Sequence, residues 1–342
     1  MKLITFEIDT PSGVMRRAGA LTDDGSAVDL QAATSLYLAD VVNGATHQTL
    51  VDTLPSDLLE LLRQGPPAIE LAKRAIDHAS SLDAGRRAGP PTVVPAGMFR
   101  LKAPLPRPPS IRDFLLVEGH VRNARKAAPP DEWYRLPVYY KGNVDATFGP
   151  EDVIPWPVFT DKLDYEIEMF AVIGREAHKV TADEALDYVV GYTIFNDWSA
   201  RDIQRREMSV GLGPAIGKDF ANSIGPCIVT ADEFDPLSAR MRARVDGEIW
   251  SEGDLSGMRF DFAEIIEWLS LEQTLHPGDL LGSGTIAGGC GLELDRWIRP
   301  GSVIELEIDG IGVLRNQIGF KPEGDVITSP KPPRRLGGQS AH

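Results

Sequence analysis

Residues 163–174 constrain the fold of this chain more than any other segment, because acidic and apolar residues alternate along them. Side chains alternate along a β-strand, so Asp164, Glu166 and Glu168 are expected to share one face of a single strand. Acidic residues are poor strand formers, and like charges on one face repel one another. The acidic face is therefore either the solvated side of an edge strand or a buried face neutralised by a hard divalent cation. The sequence favours the cation.

The overall charge excludes some partners. The 342 residues include 35 basic and 50 acidic side chains, which give a formal net charge of −15. This balance argues against a broad nucleic-acid-binding surface.

No apolar run approaches the ~20 residues of a membrane span, and the first residues alternate like a strand instead of forming a signal peptide. Cys227 and Cys290 fit a reducing compartment. We therefore expect a cytoplasmic protein that binds neither nucleic acid nor membrane.

Segments rich in Pro and Gly at residues 85–95 and 104–109 suggest a domain boundary near residue 100. We expect a small α+β N-terminal domain over residues 1–100, a catalytic domain over residues 101–328 and a disordered tail over residues 329–342. Within the first domain, the patterns predict a β-meander over residues 1–30 and helices over residues 31–42, 55–62 and 68–80.

A further candidate carboxylate follows a predicted buried strand at residues 189–195. The strand leads into Asn196 and Asp197, and Ser199 is placed to cap the helix that follows. Functional groups often emerge where a strand ends and a helix begins. Asp197 is therefore predicted to join the acidic residues of the first segment.

Residues 111–125 start extended and turn helical, and they bring Asp113, Glu118 and His120 close together in sequence. A lone histidine is usually structural, but one near two acids at a strand–helix junction is a candidate general base. These residues extend the candidate site beyond the acidic segment.

Several familiar motifs are absent. The Gly-rich loop before Lys218 has Leu212 where a phosphate-binding loop needs its first Gly, and Asp219 replaces the Ser or Thr of that motif. Residues 282–287 match a dinucleotide-binding fingerprint by letters, but further strand and not a helix is expected after them. Neither a His-Glu-x-x-His motif nor a Cys pair at zinc spacing occurs. The remaining candidate chemistry consists of carboxylates, one histidine, one lysine and a hard metal ion.

Several segments together resemble the fumarylacetoacetate hydrolase superfamily. They are Asp-Tyr-Glu-Ile-Glu at 164–168, Asn-Asp-Trp-Ser-Ala-Arg-Asp at 196–202, Gly-Lys at 217–218 and Gly-Thr-Ile at 284–286. The resemblance extends from about residue 110 to residue 320. It implies a mostly β fold with some α, in which the C-terminal domain is a mixed β-roll or sandwich. It also implies a homodimer and a Mg²⁺ ion, with Mn²⁺ or Ca²⁺ as alternatives.

The resemblance also assigns roles to single positions. The implied metal ligands are Asp113, Glu166, Glu168 and Asp197. Asp164 is not a ligand in the family pattern, so a structural or supporting role is expected for it. His120 matches the general base, with either Glu118 or Glu293 as the carboxylate that orients it. Substrate contacts are implied for Tyr140, Arg201, Gln204, Lys218 and Thr285, and Lys218 is also expected to help hold an oxyanion.

The implied activity is hydrolysis of a carbon–carbon bond in a 1,3-diketo acid, either an acylpyruvate or a fumarylacetoacetate-like compound of aromatic catabolism. In this hypothesis the metal polarises a carbonyl, His120 deprotonates a water, and the metal stabilises the enolate that is released. The same scaffold also supports decarboxylation, hydration or dehydration, and isomerisation of 2-keto acids. A non-catalytic small-molecule-binding protein is the remaining alternative. The sequence leaves the substrate open.

Overall fold

A computed structural model describes residues 1–41, 54–82 and 92–322, so the predicted tail at 329–342 lies outside the described residues. The strands are β1 (Lys2–Thr10), β2 (Gly13–Leu21), β3 (Ala27–Asp29), β4 (Val93–Val94), β5 (Arg100–Lys102), β6 (Ile111–Phe114), β7 (Tyr139–Lys141), β8 (Thr147–Phe148), β9 (Val153–Ile154), β10 (Leu163–Asp164), β11 (Ile167–Ile173), β12 (Val189–Asp197), β13 (Ser199–Ala200), β14 (Asn222–Thr230), β15 (Met241–Val245), β16 (Glu248–Gly253), β17 (Leu280–Gly282), β18 (Val303–Ile308) and β19 (Gly312–Ile318). The α-helices are α1 (Leu30–Val41), α2 (Leu58–Arg63), α3 (Pro66–Ser81), α4 (Glu118–Arg125), α5 (Ala182–Ala185), α6 (Arg201–Met208), α7 (Phe262–Ser270) and α8 (Gly291–Leu294).

Two sheets organise the described part of the chain. The larger sheet has 12 strands in the order β4-β3-β2-β1-β14-β12-β11-β17-β6-β7, with β5 paired to β1 and β8 paired to β14. The smaller sheet has five strands in the order β16-β15-β18-β19-β9, and β10 and β13 form a separate pair. Both sheets mix antiparallel and parallel pairing. The predicted mostly β fold with helices is confirmed.

The N-terminal strands belong to the larger sheet. Lys2 and Leu3 of β1 pair with Val229 and Ile228 of β14, so this sheet continues across the predicted domain boundary at residue 100. The predicted meander is present as β1, β2 and β3, and the three predicted helices correspond to α1, α2 and α3. The division into two domains stays a prediction.

The central strand β11 is buried along its whole length. Alternate residues of the strand, such as Met169 and Ala171, pack in a core shared with the smaller sheet and α7. Phe170 and Val172 face the opposite core with Leu61 of α2, and Phe170 stacks on Phe195 with ring centroids 4.0 Å apart. Burial on both faces explains the nearly continuous apolar run of this strand. None of the helices in the described ranges has the length and apolar character needed to cross a membrane.

The acidic segment is not one strand, and that prediction is wrong. Strand β10 ends at Asp164 and pairs with β13, whereas β11 begins at Ile167. The amide N–H groups of Tyr165 and Glu166 donate to the side chains of Asp164 and Asn196, so they are not available to a continuous ladder. Because of this interruption, Asp164 and Glu168 lie on different strands and in different surroundings.

The predicted cap at Ser199 is also wrong. Ser199 lies in β13, and its hydroxyl donates to the carbonyl oxygen of Asp197. Ala200 is the N-cap of α6 and provides no side-chain hydrogen bond. The prediction that strand β12 leads into Asp197 is confirmed. The end of β12 therefore presents Asp197 next to the start of α6.

Candidate active site

A cavity of about 390 Å³ opens where β6, β7, β11, α4 and α6 meet. Its lining contains nine of the site residues predicted from the sequence: Asp113, His120, Tyr140, Glu166, Glu168, Arg201, Gln204, Lys218 and Thr285. The topology explains the gathering, because β11 lies between β12 and β17, and β17 pairs with β6. Residues far apart in the chain thus reach one place at the ends of neighbouring strands.

Three carboxylates form a cluster at the cavity, and two of them, Asp113 and Glu168, line it. One oxygen from each of Asp113, Glu168 and Asp197 lies within 4.8 Å of the others, and all three side chains are buried. Burial and the charge of Asp197 hold the pKa of Asp113 well above its usual range. Burial and the charge of Asp113 do the same to the pKa of Glu168. Burial raises the pKa of Asp197 to about 6, in spite of the nearby ammonium of Lys218.

The three carboxylates fit a hard divalent cation. Oδ1 of Asp113 and Oε2 of Glu168 are buried and accept no hydrogen bond from the described residues. Buried acceptors without a donor are costly, and a cation would satisfy both of them while removing the mutual repulsion. Oxygen-only ligands favour Mg²⁺, Mn²⁺ or Ca²⁺ over zinc. This donor set supports metal binding without deciding which ion is bound.

Glu166, the fourth predicted ligand, lies in different surroundings. Its Oε1 accepts from Nη2 of Arg201 at 2.8 Å, and its Oε2 accepts from Nζ of Lys218 at 2.5 Å. Burial alone would raise the pKa of Glu166, but the charges of Arg201 and Lys218 outweigh burial and lower it. Lys218 also donates to Asp197. The ammonium thus links Glu166 to the carboxylate cluster, and the role of Glu166 as a ligand stays a prediction.

His120 and Glu293 form a hydrogen-bonded pair at the side of the cavity. Nδ1 of His120 lies 2.7 Å from Oε1 of Glu293, and Nε2 lies 3.9 Å from Oε1 of Glu166. Glu118, the alternative partner in the sequence hypothesis, accepts instead from Arg122 and from the hydroxyl of Tyr134. Of the two carboxylates left open by the sequence, the structure therefore pairs Glu293 with the histidine.

Arg201 forms buried ion pairs with two of the acidic residues, Asp164 and Glu166. Its Nε donates to Asp164 at 2.8 Å, its Nη2 contacts both Asp164 and Glu166, and its Nη1 donates to Gln204. Asp164 is fully buried and also accepts from the backbone N–H groups of Gly291 and Leu292. These contacts agree with the expected supporting role of Asp164.

Two other predicted contact residues touch the carboxylate cluster directly. The hydroxyl of Tyr140 donates to Oδ1 of Asp197 at 2.6 Å, and the hydroxyl of Thr285 donates to Oε1 of Glu168 at 2.8 Å. Each bond fixes the orientation of one carboxylate. Substrate contact by either residue stays a prediction.

Sequence reasoning missed three residues that shape the site. Asn123 donates to Oε2 of Glu293, and the Sγ of Cys290 lies 3.5 Å from Oε1 of the same carboxylate. Gly282 stands opposite Asp113 in the β17–β6 pairing, where an added Cβ would lie 2.1 Å from Oδ1 of Asp113. The one sequence signal is the position of Asn123 three residues after His120, which places both on one side of a helix.

The fold and the site define a class of enzyme with a carboxylate-lined, metal-competent cavity and a histidine–glutamate pair. The chain belongs to the fumarylacetoacetate hydrolase superfamily, because the family described as "Fumarylacetoacetate (FAA) hydrolase C-terminal" matches residues 111–319. The family resemblance expected from the sequence is thereby confirmed.

Two curated relatives are similar over most of the chain. The oxaloacetate tautomerase YisK of Bacillus subtilis is 30% identical over 316 residues, which cover 88% of this chain and 95% of that protein. The mitochondrial oxaloacetate tautomerase Fahd2a of Rattus norvegicus is 30% identical over 275 residues, covering 79% and 82%. The solved fumarylacetoacetate hydrolase of Exiguobacterium antarcticum has a TM-score of 0.68 and 26% identity, and the match covers 93% of this chain and 100% of that one. The chain is thus a member of an enzyme family that includes hydrolases and tautomerases.

Proposed function

We propose that this protein is a divalent-metal-dependent tautomerase that interconverts the keto and enol forms of a 2-keto acid, with oxaloacetate as the first substrate to test. The observation that carries the proposal is the position of Nε2 of His120. With Nδ1 bonded to Glu293, a neutral imidazole keeps its lone pair on Nε2, which lies 3.9 Å from Oε1 of Glu166 at the cavity. The names of the two relatives support oxaloacetate as the substrate.

The metal would be held by Asp113, Glu168 and Asp197, with Glu166 as the further predicted ligand. A divalent ion bound there supplies Lewis acidity toward a carbonyl oxygen. Mg²⁺ is the ion predicted from the sequence, and Mn²⁺ and Ca²⁺ suit the same oxygen donors. Five buried carboxylates share the site with two buried cations, Arg201 and Lys218. This excess of negative charge supports the need for a divalent metal ion.

Proton transfer falls to His120 in this proposal. Nε2 takes a proton from the carbon next to the keto group, and the electron pair of that C–H bond forms the enolate. The same proton is then delivered to the oxygen, which completes the enol, and the reverse sequence regenerates the ketone. Glu293 holds the ring in the tautomer that this requires and stabilises the imidazolium formed in between. Lys218 and Gln204 would orient the carboxylate next to the keto group.

Hydrolysis of a carbon–carbon bond, the activity expected from the sequence, is the second candidate. The same histidine–glutamate pair is able to deprotonate a water. The match to the hydrolase of E. antarcticum covers the full length of that protein. The products would be a carboxylic acid and a 2-keto acid. A homodimer and a cytoplasmic location stay predictions, and size-exclusion chromatography tests the first.

One set of assays separates the two reactions. With Mg²⁺ present, the protein is mixed with enol oxaloacetate, whose ultraviolet absorbance falls as the ketone forms, and separately with acylpyruvates, whose cleavage is followed by chromatography of the products. Tautomerisation faster than with Mg²⁺ alone, abolished by His120→Gln, supports the proposal. Acylpyruvate cleavage without tautomerisation would replace it with the hydrolase, and neither reaction would overturn both.

A further inference from the structure

Arg125 differs from the other basic residues of the cavity wall. Arg201 and Lys218 are buried and bonded to carboxylates. Arg125 is exposed and lines the same cavity, and across residues 1–41, 54–82 and 92–322 no hydrogen bond, ion pair or ring contact engages its guanidinium. It is therefore a cation that faces the cavity and remains available to a ligand.

Helix α4 sets the position of this cation relative to His120. His120, Val121, Ala124 and Arg125 all line the cavity, as expected for neighbours along one side of a helix. The rise of 1.5 Å per residue places Arg125 about 7.5 Å further along the helix axis than His120. Arg122, on the same helix, does not line the cavity and pairs with Glu118 and Tyr134. One helix thus carries both an available arginine at the cavity and a paired arginine outside it.

The cavity that Arg125 lines has both apolar and polar surface. Leu115, Val138, Met208 and Pro214 contribute apolar surface to it. The carboxylates, His120, Gln204 and Lys218 are among its polar groups. A ligand that suits this cavity has a polar group at the carboxylate cluster, a short carbon chain and an anionic group near the guanidinium. The net charge of −15 repels anions from the protein as a whole, so a local cation matters more for such a ligand.

We propose that Arg125 binds the second carboxylate of a 2-keto dicarboxylic acid and thereby selects dicarboxylic over monocarboxylic substrates. Arginine suits this task because its planar guanidinium donates two parallel hydrogen bonds to one carboxylate. The inference rests on the proposed function, in that it names the substrate class of the same cavity. Arg125 contributes to binding and specificity, and His120 retains the proton transfer.

The test uses binding, so that it does not depend on turnover. Calorimetry on the Mg²⁺-loaded full chain compares malate, a dicarboxylate, with lactate, its monocarboxylate counterpart. The wild type is expected to prefer malate by about tenfold or more, the size expected for a hydrogen bond to a charged group. Arg125→Gln should remove this preference by weakening malate alone, Arg125→Lys should keep part of it, and the matched control Arg122→Gln should keep all of it.

Other outcomes overturn the inference. A wild type without preference for malate, or an Arg125→Gln variant that retains the preference or weakens both ligands equally, contradicts the assignment. The tautomerase assay is read separately. Loss of malate preference in Arg125→Gln, together with absent tautomerisation in the wild type, would overturn the proposed reaction and retain the dicarboxylate site.

Discussion

Nδ1 of His120 lies 2.7 Å from Oε1 of Glu293, although 173 residues separate the two in the chain. Oε2 of the same carboxylate accepts from Asn123 and from the backbone N–H of Gly288. These donors hold the glutamate in one orientation, and the glutamate in turn fixes the tautomer of the imidazole. The pairing makes His120 a base whose free nitrogen, Nε2, lies 3.9 Å from Oε1 of Glu166.

Replacing Glu293 by glutamine should therefore lower kcat with little change in protein stability. The amide cannot stabilise an imidazolium and favours the wrong tautomer, so we expect a loss of about 100-fold to 10,000-fold. Glu118→Gln is the matched control and should leave kcat within about twofold, because Glu118 bonds to Arg122 and Tyr134. Steady-state kinetics on the active substrate measures both variants. A Glu293→Gln variant that keeps kcat within about twofold of the wild type, as the control does, would show that the pair with Glu293 has no catalytic importance.

Much of the site could be predicted because its residue types stand in short, ordered segments. Asp197 follows an apolar strand, and His120 follows Asp113 within a few residues, so local patterns were sufficient to select them. The choice between Glu118 and Glu293 depends on where α8 packs against α4, and local periodicity carries no information about that contact. The nearby Glu118 was equally plausible from spacing alone.

The prediction of one continuous acidic strand was wrong for a different physical reason. Alternation of polar and apolar residues describes which side a side chain occupies, but it does not show when a side chain captures a neighbouring backbone N–H. Asp164 accepts from the N–H of Tyr165 and from Gly291 and Leu292, and this interrupts the ladder. The room that Gly282 leaves for the carboxylate of Asp113 could not be predicted from the sequence either, because it depends on the register of β17 against β6.

Gly282→Ala should abolish metal binding while the fold persists. The new Cβ would meet Oδ1 of Asp113 at 2.1 Å, so the carboxylate must leave its present position in the cluster with Glu168 and Asp197. Gly257→Ala is the control, because the added Cβ there meets only a side-chain carbon of Val117 at 3.6 Å. Calorimetric titration with Mg²⁺ should show binding in the control and none in Gly282→Ala. Wild-type affinity in Gly282→Ala would remove Asp113 from the ligand set.

Metal binding should weaken as the pH falls, because the ligands must lose their protons first. In the metal-free protein the pKa of Asp197 is raised to about 6 from its ordinary value of 3.8, mainly by burial. A raised pKa in the folded state means that this group's contribution to stability is present below pH 3.8 and is lost as the pH rises through about 6. Burial and the neighbouring carboxylates also hold the pKa values of Asp113 and Glu168 well above their usual range, so these two groups contribute to the same pH dependence.

The increase in Tm caused by Mg²⁺ should therefore be large at pH 8 and small at pH 5. Thermal melting with and without Mg²⁺ over this range measures it. Asp197→Asn should reduce the increase in Tm at pH 8, since one charged ligand is lost. An increase that is independent of pH would argue that the ion binds away from these carboxylates.

Asp164→Asn should destabilise the fold and leave the metal site intact. Asp164 is fully buried, accepts from Arg201 and two backbone N–H groups, and does not belong to the carboxylate cluster. Removing its charge leaves Glu166 as the one carboxylate, among the residues that the structure describes, that pairs with the guanidinium of Arg201. Breaking a buried ion pair typically costs 3–5 kcal/mol, and because Glu166 remains we expect a loss of about 3 kcal/mol in the free energy of unfolding.

The matched control for this prediction is Asp9→Asn. Asp9 makes two hydrogen bonds to Arg100, as close as those between Asp164 and Arg201, but its side chain is 71% exposed. Water replaces such an exposed pair, so its loss should leave the Tm almost unchanged. Chemical denaturation measures both variants, and calorimetry measures their affinity for Mg²⁺. Loss of Mg²⁺ binding in a folded Asp164→Asn protein would instead make Asp164 part of the metal site, because a residue that only anchors Arg201 cannot remove the ion while the fold remains.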